Sequence, residues 1–120
     1  MVTPARFHRF RNLNETAINV DYQIHTVQTD GECTVEEIIA AARDKNLDEI
    51  AFTEHVRKET DWFPAFVRSV RESAATCPDV RVCVGCEAKA LDTEGTLDAS
   101  PSIIEASDLV LGSVHRFPNG

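Results

Sequence analysis

Residues 34 to 55 read TVEEIIAAARDKNLDEIAFTEH, and in them a helical pattern passes directly into a strand pattern. Thr34 and Glu37 have the spacing of a capping box, and apolar residues then recur at helical intervals of three and four. Asn46 fits the end of this helix, and the apolar run that follows it predicts a strand ending at His55. A helix that leads at once into a strand predicts an α/β fold.

The same alternation continues on both sides of this segment. A strand is predicted before it, and after it a helix, a strand, a short helix and a final strand. The first strand covers residues 18–24, and the helix begins at about Asp61 with Pro64 in its first turn. The next strand is VRVCVGCE at 80–87. The short helix has Ser100 as N-cap and Pro101 at its first position, and the final strand is DLVLGSVH at 108–115. This order predicts parallel strands, and residues 1–17 are expected to form an N-terminal arm.

Composition limits the class of protein. The chain has 120 residues, of which 42% are hydrophobic, enough for one domain with one core. Its formal net charge of −8 makes nucleic acid an unlikely partner, because it would repel a phosphate backbone. No apolar stretch approaches the ~20 residues that span a bilayer, and no secretory leader is recognisable, so we expect no membrane association and a cytoplasmic protein.

Four cysteines are present, and two of them form the CVGC motif at Cys83 and Cys86. This spacing occurs in zinc knuckles and in thioredoxin-like redox sites. In a strand, however, side chains three positions apart face opposite sides, and no second Cys or His pair has a matching spacing. A zinc or redox role is therefore the less favoured of the two interpretations, and reduced thiols are expected.

Each of the four predicted strands ends in a side chain that can bind metal. These residues are His25, His55, Glu87 and His115. Parallel strands of βα units point their C-terminal ends to one face, which carries the active site in barrel enzymes. One histidine at a strand end is weak evidence, but four such ends in succession indicate a metal centre.

Four ordered motifs carry a resemblance to a known family. HTVQTDGE, AFTEHV, VGCEAK and LGSVHR resemble successive motifs of the PHP (polymerase and histidinol phosphatase) domain, over a span from about Asp21 to Arg116. The resemblance implies a distorted (β/α)7 TIM-like barrel with parallel strands. The chain would form its N-terminal part, about four βα units, with residues 18–120 as a partial PHP domain close to the stand-alone phosphoesterases.

The same resemblance implies a metal-dependent phosphatase. Up to three divalent ions, commonly zinc, manganese or iron, would activate water against a small phosphate monoester, with histidinol phosphate as one candidate substrate. By position, His25 would bind the first ion, Glu87 would bridge the first and second, His115 would bind the second, and Asp30 with His55 would bind the third. The catalytic residues would be His25, His55, Glu87 and His115.

Charged side chains next to these ligands are further candidates. Arg57, Lys58 and Arg116 could hold the substrate phosphate, either bidentately or as point charges. Glu54, beside His55, could hydrogen-bond to a metal-binding residue without binding the ion itself, or it could be a solvated carboxylate.

Two departures from the family pattern leave other functions open. The first motif has Gln23 where the family has a second histidine, and the chain stops at Gly120, before a later histidine and an Asp-x-His motif. Only two protein ligands per ion would then remain. A degenerate, non-catalytic metal-binding module and a polymerase-associated exonuclease domain are the alternatives. The half-barrel is expected to belong to a longer product, and the alternatives are completion by self-association or a marginally stable fragment.

Overall fold

Four parallel strands alternate with three helices in the computed structural model, which describes residues 9–15 and 19–115. The strands are β1 (Val20–Ile24), β2 (Glu49–His55), β3 (Arg81–Lys89) and β4 (Val110–Ser113), and the helices are α1 (Val35–Asp44), α2 (Phe63–Ala75) and α3 (Pro101–Ala106). A short 3-10 helix, Phe10–Asn12, precedes them. The sheet order is β1-β2-β3-β4, and the sheet curls into half a barrel. The predicted partial TIM-like α/β architecture is confirmed.

Helix α1 has the local signals that its sequence predicted. The Thr34 hydroxyl accepts a hydrogen bond from the backbone N–H of Glu37 at 3.2 Å, and the Glu37 carboxylate accepts in return from the backbone N–H of Thr34. Asn46, just past the helix, has a φ of 57°, a left-handed conformation that asparagine tolerates. These caps satisfy free backbone groups at both ends and fix where the chain turns back into β2.

The main core lies between the outer face of the sheet and helices α1 and α2. Phe52 of β2 is fully buried and meets Phe66 of α2 edge to face, with ring centroids 6.5 Å apart. Burial of a side chain of this size contributes roughly 1.5–3 kcal/mol. A second cluster lies beneath α3 and the start of α2. Helices on the outer face leave the strand ends free to carry polar groups.

Element boundaries differ from the prediction in α2, β3 and β4. Helix α2 begins at Phe63 instead of Asp61, because residues 57–60 form a turn in which the Thr60 hydroxyl accepts from the Arg57 N–H. Pro64 does lie in its first turn. Strand β3 continues past Glu87 to Lys89, because Lys89 pairs in register with Ser113 of β4. Strand β4 ends there, two residues before His115.

The two cysteines of the CVGC motif face opposite sides of β3, as the strand pattern predicts. Cys86 packs in the cluster beneath α3, whereas the Cys83 thiol lies 3.2 Å from the Glu49 carboxylate. Burial, with the neighbouring Glu49 charge, raises the pKa of Cys83 to about 12. All four cysteines are free thiols, so the motif forms no disulfide in this structure.

Several predictions fall outside the described residues. They include most of the N-terminal arm, the predicted start of the first strand at residue 18, and Arg116. Among the residues that are described, no helix is long and apolar enough to cross a membrane.

Candidate metal centre

The ends of three neighbouring strands bring two histidines and a glutamate together. His25 directly follows β1, His55 is the last residue of β2, and Glu87 lies opposite His55 in the β2–β3 register. Paired residues of adjacent parallel strands direct their side chains to the same face of the sheet. One ligand atom from each of the three side chains lies within 4.8 Å of the others. Side chains far apart in sequence therefore share one small volume.

Asp30 closes this group into a ring in which imidazoles and carboxylates alternate. Its oxygens approach Nδ1 of His25 at 2.8 Å and Nε2 of His55 at 3.1 Å. On the other side, the Glu87 oxygens approach Nε2 of His25 at 3.3 Å and Nδ1 of His55 at 3.2 Å. Every imidazole nitrogen of the pair thus faces a carboxylate oxygen.

Proton counting indicates that this ring suits a cation. A neutral imidazole carries one N–H, so two neutral rings supply two protons for four nitrogen–oxygen approaches. In each of the two remaining approaches, a nitrogen lone pair faces an oxygen lone pair unless a cation or an extra proton lies between them. Nε2 of His25 is buried without a hydrogen-bond partner, because the approach of Glu87 lacks hydrogen-bond geometry. Imidazole nitrogen and carboxylate oxygen are also the donors that zinc, manganese and iron accept.

Asp30 reaches the ring from the loop that follows β1. Desolvation raises its pKa, but the attraction of His25 and His55 outweighs this and holds the pKa of Asp30 below its ordinary value. The loop turns sharply at Gly31, where an added Cβ would lie 2.1 Å from the carbonyl oxygen of His25. Only glycine permits this close approach, which brings Asp30 back over His25.

Glu54, a residue of β2, hydrogen-bonds to the same loop after β1. It is fully buried, and its oxygens accept hydrogen bonds from the Thr26 N–H at 2.5 Å and the Thr29 hydroxyl at 2.9 Å. Burial raises the pKa of Glu54, while these hydrogen bonds act in the opposite direction. The alternative of a solvated loop carboxylate is therefore wrong, since Glu54 ties β2 to the segment that carries His25 and Asp30.

Comparison with protein-family models gives a match to the PHP domain over residues 21–119. The chain belongs to the PHP domain family. The match covers β1 from its second residue, all of β2, β3 and β4, and the whole imidazole–carboxylate ring. PHP domains bind divalent metal ions and are typically metal-dependent phosphoesterases. A search of curated proteins found no match.

In this PHP domain, Gln23 contacts the shared glutamate directly. Its side-chain amide donates a hydrogen bond to Oε1 of Glu87 at 2.8 Å, the same oxygen that faces Nε2 of His25. In the sequence, Gln23 stood out only as the residue in place of the family's second histidine. The structure gives it a different contact, which fixes the orientation of the Glu87 carboxylate.

His115 lies beside the ring of the PHP domain and outside its closest group. Its imidazole centroid is 6.5 Å from that of His55, whereas the rings of His25 and His55 are 4.3 Å apart. It is exposed and follows the end of β4. Of the five candidate metal ligands, the structure therefore joins four in the imidazole–carboxylate ring and leaves His115 at the rim.

The candidate phosphate-binding residues of the PHP domain are placed differently from one another. Arg57 lines a cavity of about 260 Å3 that also borders His55 and Glu87, whereas Lys58 does not line it. Lys89 lines the same cavity and was missed by sequence reasoning. The available signal was strand alternation, because Lys89 follows Glu87 by two positions and faces the same side once β3 is known to continue.

Proposed function

We propose that this PHP domain is a metal-dependent phosphatase that hydrolyses a small phosphate monoester, with histidinol phosphate as one candidate. The closed imidazole–carboxylate ring, with the buried and unpartnered Nε2 of His25, is the observation that supports it most directly. When bound, a zinc, manganese or iron ion supplies Lewis-acid chemistry, since it neutralises phosphate oxygens and lowers the pKa of water.

His25, His55 and Glu87 would hold the ion. Asp30 contacts one nitrogen of each imidazole and so orients both rings, which is the usual role of a carboxylate behind a metal-binding histidine. Arg57, on the adjoining cavity, would offset the negative charge of the substrate phosphate. His115 at the rim is a further candidate ligand.

The test is metal-dependent release of phosphate. The chain is stripped with a chelator, reloaded with manganese or zinc, and assayed with histidinol phosphate and p-nitrophenyl phosphate. Glu87→Gln and His55→Ala are expected to lower the rate by at least about a hundredfold, because each removes a metal ligand. Glu105→Gln, on the exposed surface of α3, is the matched control and should retain the rate. Metal-dependent hydrolysis that survives both ligand substitutions would refute the proposal.

A second candidate is a non-catalytic metal-binding module. The hydrogen bond from Gln23 to Oε1 of Glu87 favours it, because a carboxylate oxygen that accepts this bond has less capacity left for bridging two ions. Metal analysis after dialysis distinguishes the two functions. Tightly bound metal without hydrolysis of either ester supports the module, and hydrolysis that depends on the metal supports the enzyme.

A further inference from the structure

Strand β1 contains one residue more than β2 where it approaches the imidazole–carboxylate ring. Two of its residues pair with core residues of β2, and these pairs are Asp21 with Ile50 and Ile24 with Phe52. On β2 one residue separates the two pairs, whereas on β1 two residues do, Tyr22 and Gln23. An extra residue of this kind is a β-bulge, which changes the direction of a side chain and is common next to active sites.

The bulge places the side chains of both extra residues on the inner face of the sheet, the face away from the helices. Tyr22 hydrogen-bonds to Glu49, and Gln23 hydrogen-bonds to Glu87. The Asp21 carboxylate accepts from the backbone N–H of Gln23 at 3.1 Å and so holds the irregular segment. Gln23 therefore reaches across β2 to a residue of β3 because of the bulge, and regular alternation alone would not direct it there.

The Gln23 amide holds the Glu87 carboxylate with both oxygens directed into the ring. An ionised carboxylate only accepts, so the amide presents its N–H, and not its oxygen, to Oε1 of Glu87 at 2.8 Å. The same oxygen faces Nε2 of His25 at 3.3 Å, and Oε2 faces Nδ1 of His55 at 3.2 Å. A carboxylate that bridges two ions must give one oxygen to each. Here neither oxygen is turned outward to a second ion.

A second ion would also lack ligands. Ligand atoms of His25, His55 and Glu87 lie within 4.8 Å of one another, and residues 9–15 and 19–115 contain no other group of three or more possible ligands that close together. Two ligands of one ion lie up to about 4.4 Å apart, twice the usual bond length, so this group fits one ion after a small closure. Ions of a two-metal site are about 3.5–4 Å apart, and each needs its own ligands.

We propose that Gln23 limits this centre to a single divalent ion, held by His25, His55 and Glu87, in place of the several ions that the family resemblance implies. Gln23 is a positioning residue, because its amide keeps the Glu87 carboxylate on the ion in the ring without binding the ion itself. This inference rests on the metal binding proposed above and does not depend on hydrolysis, so the number of ions can be measured without turnover.

Manganese alone is the probe, and the full chain is stripped with a chelator before it is titrated. Calorimetry counts the tightly bound ions per chain. Electron paramagnetic resonance gives an independent count, because an isolated Mn²⁺ shows the hyperfine pattern of one nucleus, whereas bridged ions are exchange-coupled and show additional, closely spaced lines. One tightly bound ion and an uncoupled spectrum are expected. A second tightly bound ion, or a coupled spectrum, would overturn the proposal.

Gln23→His tests whether this residue sets the count. The new imidazole would join His25 and one Glu87 oxygen on the first ion, and would release His55 with the other Glu87 oxygen for a second ion. A second manganese ion and a coupled spectrum are therefore expected. Gln28→His adds an imidazole to the exposed part of the loop after β1 and should keep one ion. A folded Gln23→His variant that still binds one ion would overturn the role of Gln23.

Gln23→Met removes the amide and keeps nearly the same side-chain length. The variant is expected to bind one ion about tenfold more weakly, because the Glu87 carboxylate loses the contact that orients it. Gln28→Met is the matched control and should leave the affinity within about twofold. Unchanged affinity in a Gln23→Met variant with normal circular dichroism would overturn the positioning role. Should Gln23→His fail to fold, this variant and the count in the unchanged chain still decide the question.

The ion count and the reaction can fail separately. Hydrolysis of p-nitrophenyl phosphate by an unchanged chain that holds two coupled manganese ions would leave the phosphatase function and remove this inference. One uncoupled ion, without hydrolysis of either test ester under manganese, zinc or iron, would leave this inference and remove the phosphatase function.

Discussion

Glu54 illustrates how a single buried carboxylate supports a site that it does not touch. Its oxygens accept from the Thr26 N–H and the Thr29 hydroxyl, and the loop so held carries Asp30 back to the two imidazoles. The donors lie in the polypeptide segment between two predicted ligands. The position of Asp30 in the ring therefore depends on hydrogen bonds made by its neighbours.

Replacement of Glu54 by alanine is expected to weaken both the fold and the metal site. The buried Thr26 N–H would lose its acceptor, which costs about 1–3 kcal/mol of the free energy of unfolding. Displacement of the loop should lower metal affinity by about tenfold, the usual effect of losing a supporting contact behind a ligand. Urea unfolding of the metal-free chain and metal titration of the loaded chain measure the two effects.

The matched control for this change is Glu72→Ala, which removes an exposed carboxylate from α2. It should leave both the free energy of unfolding and the metal affinity close to those of the unchanged chain. A Glu54→Ala variant with normal metal affinity would show that the loop holds its position without this carboxylate.

At the scale of elements, the contact between β3 and β4 depends on a glycine. A Cβ at Gly85 would lie 1.8 Å from the carbonyl oxygen of Leu109, at the entry to β4. Gly112, in β4 itself, is different, because a Cβ there would meet only a side-chain carbon of Leu97 at the ordinary distance of 3.5 Å. The two glycines therefore form a matched pair.

Gly85→Ala is expected to destabilise the chain by about 1–3 kcal/mol or more, because backbone must shift to admit the methyl group. Gly112→Ala should leave the free energy of unfolding nearly unchanged. Chemical denaturation gives the free energy of unfolding of both variants. Equal stability of the two would mean that β4 moves away from Gly85 at little cost.

The elements that the sequence predicted best are those with local signals. The Thr34 and Glu37 box and the Asn46 stop mark the two ends of one helix and are readable from spacing alone. The end of β3 was missed because it is set by pairing of Lys89 with Ser113, a contact between strands distant in sequence. Pairing of this kind leaves no periodic trace in one strand.

The candidate site was partly predictable for the same reason. Parallel strands bring His25, His55 and Glu87 to one rim, so the strand topology alone predicted that these side chains lie close together. The bond between Gln23 and Glu87 joins residues 64 positions apart through side-chain rotamers, and no pattern in the sequence specifies it. The roles of the metal candidates remain predictions until metal binding is measured.

Across the whole molecule, the ring joins three of the four strands. His25 follows β1, His55 ends β2 and Glu87 belongs to β3, so an ion held by all three links separate βα units. In the described residues β1 and β4 are the sheet edges. Completion of this half-barrel by further chain or by self-association stays a prediction.

Metal binding should therefore stabilise the entire fold. An ion that binds the folded chain and not the unfolded one adds about 2.7 kcal/mol at a hundredfold excess over its dissociation constant. For a chain of this size the melting midpoint should rise by roughly 10 °C. Calorimetry with manganese or zinc measures the rise, and a chelator should reverse it.

Glu105→Gln should keep the rise and His55→Ala should lose it, because only the second removes a group from the ring. A rise of equal size in both variants would place the ion elsewhere on the molecule and separate its stabilising effect from the imidazole–carboxylate ring.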